Sequence, residues 1–154
     1  MTASADSASS FVLLHLGSRR FALPASTIAE LAPPVHLHAF PHTSAKVCGV
    51  IVRRSRIVPV YDASPILIGR RSAAHRFYLI ARREFGKTGE LSAIPVDGEC
   101  ELVSGELQAA ASDDPAYVKG RVAVGDDFVG VLDFEALVSY RQQEPENEAP
   151  AVLS

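Results

Sequence analysis

The chain has 154 residues, of which 47% are apolar and 21% charged, and its formal net charge is −3. That length suits one compact domain, and the apolar share supports a buried core instead of general disorder. No apolar run approaches the roughly 20 residues of a spanning helix, no basic stretch leads into an apolar one at the N-terminus, and the acidic balance is unlike that of a dedicated nucleic-acid binder.

Residues 1–10 are rich in Ala, Ser and Thr and carry no apolar pattern, so they read as a disordered tail. Short β-branched or aromatic runs follow, broken by Gly, Pro and charge pairs: Phe11 to Leu16, Val50 to Val52, Ile57 to Tyr61, Phe77 to Ala81, Val122 to Val124 and Phe128 to Leu132. These predict strands with several buried faces, and hence a mostly β protein. Helical signals are few. Thr27 to Leu31 suggests a helical turn, Pro65 to Ile68 a short helix behind an Asp62/Ser64 cap, and Asp133 caps a C-terminal helix from Phe134 to Tyr140. Residues 142–154, with Glu144, Glu146, Glu148 and two prolines, predict a disordered acidic tail. Cys48 and Cys100 form no pair motif, which fits two reduced, core-like thiols in the cytoplasm.

An internal repeat organises the middle of the chain. A shift of 71 lays Gly49-Val-Ile-Val-Arg-Arg-Ser-Arg-Ile-Val-Pro-Val-Tyr-Asp62 on Gly120-Arg-Val-Ala-Val-Gly-Asp-Asp-Phe-Val-Gly-Val-Leu-Asp133. The same shift lays Ala22-Leu23-Pro24 on Ala93-Ile94-Pro95, and Glu30-Leu31 on Glu101-Leu102. The opening strands match at 66, Phe11 on Phe77, because the second hairpin carries a longer polar tip between Arg82 and Glu90. Two related β-units, residues 11–75 and 76–141, are therefore expected to pack together, each small for independent stability. Their charges oppose: the first holds eight Arg/Lys against Glu30 and Asp62, the second seven Arg/Lys against twelve Asp/Glu. Such a split suits oriented docking to partners of opposite sign.

Catalytic signatures are missing from the sequence: no nucleophile elbow, phosphate-cradling glycine loop or zinc-protease motif occurs. His36, His38 and His42 form the most metal-like set, and His36 and His38 would share one face of an extended segment. A structural zinc site wants four ligands and only distant Cys48 could add one, so no metal or cofactor is expected. Asp113-Asp114 and Asp126-Asp127 sit beside turn residues and read as solvated turn chemistry. Arg53, Arg54 and Arg56 crowd a hairpin turn. Strand alternation would place Arg54 and Arg56 on one face and Arg53 on the other, and Glu30 is a carboxylate able to pair with one of them.

These residues carry a family resemblance. Phe11 to Leu31, with Leu16-Gly17 and Ile28-Ala-Glu-Leu31, then Pro41 and the Gly49 to Asp62 run, then Ile94-Pro-Val-Asp-Gly98 and Tyr117-Val-Lys-Gly120, together resemble the CheW-like family of chemosensory adaptors across about residues 11–141. The resemblance implies an all-β fold of two pseudo-symmetric, five-stranded SH3-like barrels packed together, with a short C-terminal helix and no catalysis. It implies two partners, the regulatory domain of a histidine kinase and the helical tip of a chemoreceptor, for a monomer or weakly self-associating chain. The family's site positions carry over to Ile28, Glu30, Gly49 and Arg54, with Arg53 and Arg56 beside them. Where the family has Asn-Leu-Arg-Gly, this chain has Val52-Arg53-Arg54-Ser55, so Val52 and Ser55 are altered positions. Ser55 loses the ease of glycine at positive φ, and Val52 loses the asparagine's local hydrogen bonds. The leading expectation is an adaptor between kinase and receptor. The alternatives are a divergent module with another motility or developmental partner, and a small nucleic-acid or metal binder resting on the Arg and His clusters.

Overall fold

The computed structural model describes residues 9–39, 47–70, 77–83, 90–98 and 100–139. Pro41, His42, Tyr140, most of the polar tip between Arg82 and Glu90, and both expected tails except Ser9 and Ser10 lie outside the described residues. Ser9 and Ser10, expected in the tail, instead open the first strand.

In chain order the strands are β1 (Ser9–Leu16), β2 (Arg19–Pro24), β3 (Ile28–Ala32), β4 (Val47–Arg53), β5 (Arg56–Tyr61), β6 (Phe77–Arg82), β7 (Leu91–Val96), β8 (Glu101–Gly105), β9 (Gln108–Ala109), β10 (Val118–Val124) and β11 (Asp127–Leu132). Two short helices are present, α1 (Ser64–Ile68) and α2 (Phe134–Ser139). No helix of the described residues is long and apolar enough to cross a membrane. Asp62 Oδ1 accepts from both the amide and the hydroxyl of Ser64, the first residue of α1, but the N-cap position is Ala63 and carries no side-chain cap; Gly69 ends the helix at φ 78°. Asp133 Oδ1 accepts from the Ala136 amide at 3.2 Å and caps α2, as its sequence suggests. The helical turn expected over Thr27 to Leu31 does not form. A 3-10 turn, Ala25–Thr27, gives way to strand β3, because pairing with β6 outweighs the helix-like spacing of Ile28 and Leu31.

The strands form a six-stranded sheet, ordered β8-β1-β2-β11-β10-β9, and a five-stranded one, ordered β3-β6-β7-β5-β4. Each curls until its ends meet. Arg53 on β4 reaches Glu30 on β3, and a Cβ placed on Gly105 of β8 would stand 2.6 Å from Val122 on β10. The fold is all-β, two SH3-like barrels, as the resemblance implied, with the small strand β9 added to one of them.

The repeat and the barrels do not coincide, however. Each barrel takes its first hairpin from one sequence half and its remaining strands from the other. The seams are parallel pairings, Val131 against Ala22 and Val60 against Ala93, and the two are equivalent under the shift of 71. The three-residue turn Ala25–Thr27 explains the exchange. At about 2 Å per residue it covers roughly 6 Å, short of the roughly 10 Å needed to cross β1 and flank its far side. Strand β3 therefore leaves for the other sheet. Register also corrects the shift of the opening strands: Pro24 faces Phe11 and Pro95 faces Tyr78, so Phe11 matches Tyr78 at 67, not Phe77 at 66. One residue matters here because a slip of one exchanges the two faces of a strand.

Three apolar clusters follow. Phe11, Leu13, Ala22, Val122, Val129 and Val131 fill one barrel. Their counterparts Tyr78, Ile80, Ala93, Ile51, Val58 and Val60 fill the other. A larger cluster, including Leu14, Leu16, Leu23, Leu79, Ile94, Leu132 and Leu137, joins the barrels to each other and to both helices. Cys100 packs against this central cluster and Cys48 against a barrel core, and burial raises the Cys100 thiol to about 11. Arg83 Nε and one amino group donate to both oxygens of Glu135 at 2.9 and 3.0 Å, fastening α2 to the residue that follows β6.

Candidate functional site

Strands β4 and β5 pair up to Arg53 opposite Arg56, leaving Arg54 and Ser55 as a two-residue turn. Both turn residues have positive φ, 53° and 66°. That pattern matches the primed turns that follow the twist of a hairpin, although neither residue is the Gly or Asn such turns favour. The strain expected at Ser55 is thus present and shared with Arg54.

The turn also breaks the strand alternation that would have separated the arginines. Arg53, Arg54 and Arg56 line one cleft of about 240 Å³ together with Ala29, Glu30, Ile80 and Leu91. Glu30 reaches it because barrel closure brings β3 beside the end of β4. Arg53 donates to Glu30 Oε2 in a close ion pair, and Arg54 Nε stands 3.6 Å from Oε1. The hydrogen bond from Arg53, helped by the charges of both arginines, holds the Glu30 carboxyl below its ordinary range against the opposing effect of burial. Exposure separates their roles. The Arg53 side chain is 24% exposed and spent on Glu30, whereas Arg54 is 77% exposed and turned to solvent. Among the described residues that line the cleft, three are arginines and one is a carboxylate. Beside the cleft stand two exposed apolar side chains facing each other across the hairpin, Val52 and Ile57. Such a surface can seat an apolar anchor and orient an acidic group next to it.

The other expected site residues fall elsewhere. Ile28 is half-buried against the central cluster, and Arg82 donates to its carbonyl at 2.9 Å. Gly49 is buried, and a Cβ there would meet the His38 carbonyl oxygen at 2.6 Å, so its service is to let two backbones approach. The sequence reading passed over Ile57, whose 70% exposure on a strand otherwise rich in buried valines marks it as a contact residue. Its repeat mate Phe128 is also exposed, and that coincidence was available from the shift of 71. Asp114 departs from the solvated reading. It is 13% exposed, accepts from Arg121 at 2.7 Å and from the Ala111 amide at 2.9 Å, and its carboxyl is held below the usual range chiefly by Arg121. The rings of His36 and His38 meet edge to face at 4.5 Å. His42 lies outside the described residues, and among those described no group of three or more His, Cys, Asp or Glu is assembled.

Compared with known families, the chain matches the CheW-like domain over residues 10–142. It belongs to the CheW-like family. Among solved structures it is similar to the scaffolding protein TtCheW from Thermoanaerobacter tengcongensis, at 18% identity and a TM-score of 0.72, over 84% of this chain and 86% of that one. No curated protein matches it. In this CheW-like chain, then, the hairpin turn Arg54-Ser55 is strained at both residues and flanked by Arg53 and Arg56.

Proposed function

We propose that this CheW-like chain is a non-catalytic cytoplasmic adaptor that couples a chemosensory histidine kinase to chemoreceptor tips. The match to the CheW-like domain across nearly every described residue is the observation that carries this reading. The kinase regulatory domain docks at a barrel end, where apolar residues such as Val52 and Ile57 are exposed. The receptor's helical tip lies along the groove between the barrels, with Ile28 and the Glu30–Arg54 cleft at its margin. Signals pass as changes in contact, with no bond chemistry in this chain.

Calorimetric titration with the regulatory domain of the kinase from the same organism tests it. Binding at micromolar affinity or tighter is expected; no heat at high concentration of folded protein would remove the coupling role. At the receptor step Arg54→Ala is the informative variant, since Arg54 is exposed; Glu30→Lys would also set a cation against Arg53 and disturb the fold. A second reading, a divergent module with a different signalling partner, is favoured by the replaced turn residues Val52, Arg53 and Ser55. Retained fold without kinase binding selects it.

A further inference from the structure

The cleft at the end of β4 and β5 offers two kinds of contact side by side. Arg53, Arg54 and Arg56 line it, with Glu30 as the one carboxylate among its described lining residues. Val52 and Ile57 stand exposed beside it, at 50% and 70%. A guanidinium carries five N–H donors, so an arginine already paired with one carboxylate can still receive another. Arg54 has the most to offer, since its side chain is 77% exposed and its Nε stands 3.6 Å from Glu30.

The same chain carries a matching segment. Residues 140–154 lie outside the described structure, and they include Glu144, Glu146 and Glu148, followed by Val152 and Leu153. Carboxylates at alternate positions fall on one side of an extended chain. Pro145 and Pro150 bias the residues before them toward that form and against helix. The segment also departs from the neighbourhood of the cleft. Ile80 lines the cleft. Three residues on, about 10 Å along a strand, Arg83 holds Glu135 in the first turn of α2. Helix α2 is itself only about 9 Å long and ends at Ser139. Beyond Ser139 an extended chain can travel about 17 Å by Glu144 and about 30 Å by Glu148, enough to return to the cleft.

We propose that residues 140–154 dock in the cleft of their own chain, Glu144, Glu146 and Glu148 meeting Arg54 and Arg56, and Val152 and Leu153 covering Val52 and Ile57. A short tether gives an effective concentration near the millimolar range, so a contact too weak to join separate molecules is substantially occupied within one. Exposed ion pairs are individually weak and screened by salt, so the tail stays displaceable. It acts as a built-in competitor against any acidic partner of the cleft. This goes beyond the adaptor reading and stands without it, because both surfaces belong to this chain.

Nitrogen-15 NMR of the full chain tests the proposal, comparing the parent with the triple variant Glu144→Gln, Glu146→Gln, Glu148→Gln, which removes charge without adding bulk. At low ionic strength the amides of Arg54, Ser55, Arg56 and Ile57 differ in shift between the two proteins. Near 0.5 M salt, where the screening length drops to roughly 4 Å, those amides converge. The low-salt differences persist on tenfold dilution, as a contact within one molecule requires. A synthetic peptide of residues 142–154 shifts the same amides of the triple variant. It binds the parent at least about twofold more weakly, because the parent's own tail competes. Arg54→Asn, which removes the charge with a residue suited to positive φ, weakens peptide binding to the triple variant severalfold. Identical shifts at these four amides in low salt overturn the proposal. So do differences confined to other surfaces, differences lost on dilution, or equal peptide affinity for parent and triple variant.

Discussion

Glu30 sits at 21% exposure between two guanidiniums, and its carboxyl is held below the ordinary 4.5 chiefly by the Arg53 hydrogen bond. A carboxylate whose folded pKa is depressed stabilises the fold above its unfolded pKa. It loses that contribution as pH falls through the folded value. Glu30→Gln is therefore expected to be less stable than the parent at neutral pH by about 1 kcal/mol. Denaturant titrations at pH 7 and at pH 3 or below should show that gap closing in acid; a gap unchanged by acid would mean that the pair contributes nothing. The neighbouring turn makes an opposite prediction. Ser55, a non-glycine at φ 66°, is strained. Ser55→Gly should raise unfolding stability by about 0.5–1 kcal/mol once the extra entropy of glycine in the unfolded chain is deducted. A loss of stability would show that the serine side chain outweighs its backbone strain.

Among the elements, the two bulged strands β4 and β10 carry equivalent glycines, where chain segments from outside the hairpins come close. A Cβ on Gly120 would meet the Gln108 carbonyl oxygen at 2.5 Å and Leu107 at 2.6 Å, while one on Gly98 would meet nothing within 4 Å. Gly120→Ala should therefore cost about 1–3 kcal/mol, since backbone must shift to admit the methyl. Gly98→Ala should stay within about 0.5 kcal/mol of the parent. Equal melting shifts would remove the close-approach role. Strands with clear alternation were legible in the sequence: in β5, Val58 and Val60 are buried while Ile57 is exposed. Strand β7 was not read directly, because five of its six residues are buried and no alternation survives. Strand β3 carries helix-like spacing and becomes a strand only through β6. A Glu30–arginine pair was foreseeable, but the choice of Arg53 was not. It depends on barrel closure and a turn that cancels alternation, both long-range outcomes.

At the scale of the whole molecule, exchange of hairpins makes each barrel a joint product of both halves. Fragments of residues 1–75 and 76–154 should consequently give no folded monomer when made separately. Mixed in equal amounts, they should regain near-ultraviolet circular dichroism and migrate as a 1:1 complex. A folded, monomeric fragment would show that the three-residue turn does not force the exchange. The repeat itself could be seen in the sequence, but not which strands would share a sheet, because equivalent strands have equivalent patterns and only link length tells them apart.

The exchange also bears on how the equivalent hairpin turns of the two barrels came to differ. A lone repeat with such a short link would complete its sheet only against an identical twin, and everything in that pair would occur twice. A basic turn on one member would be a basic turn on the other, and any substitution would be felt at both ends together. Joining the twins in one chain releases each turn from copying its mate. Arg54-Ser55 and Gly125-Asp126 show what that release permits: one turn length, held twice, with both residues at positive φ in the first turn and only the glycine in the second, and with opposite electrical sign.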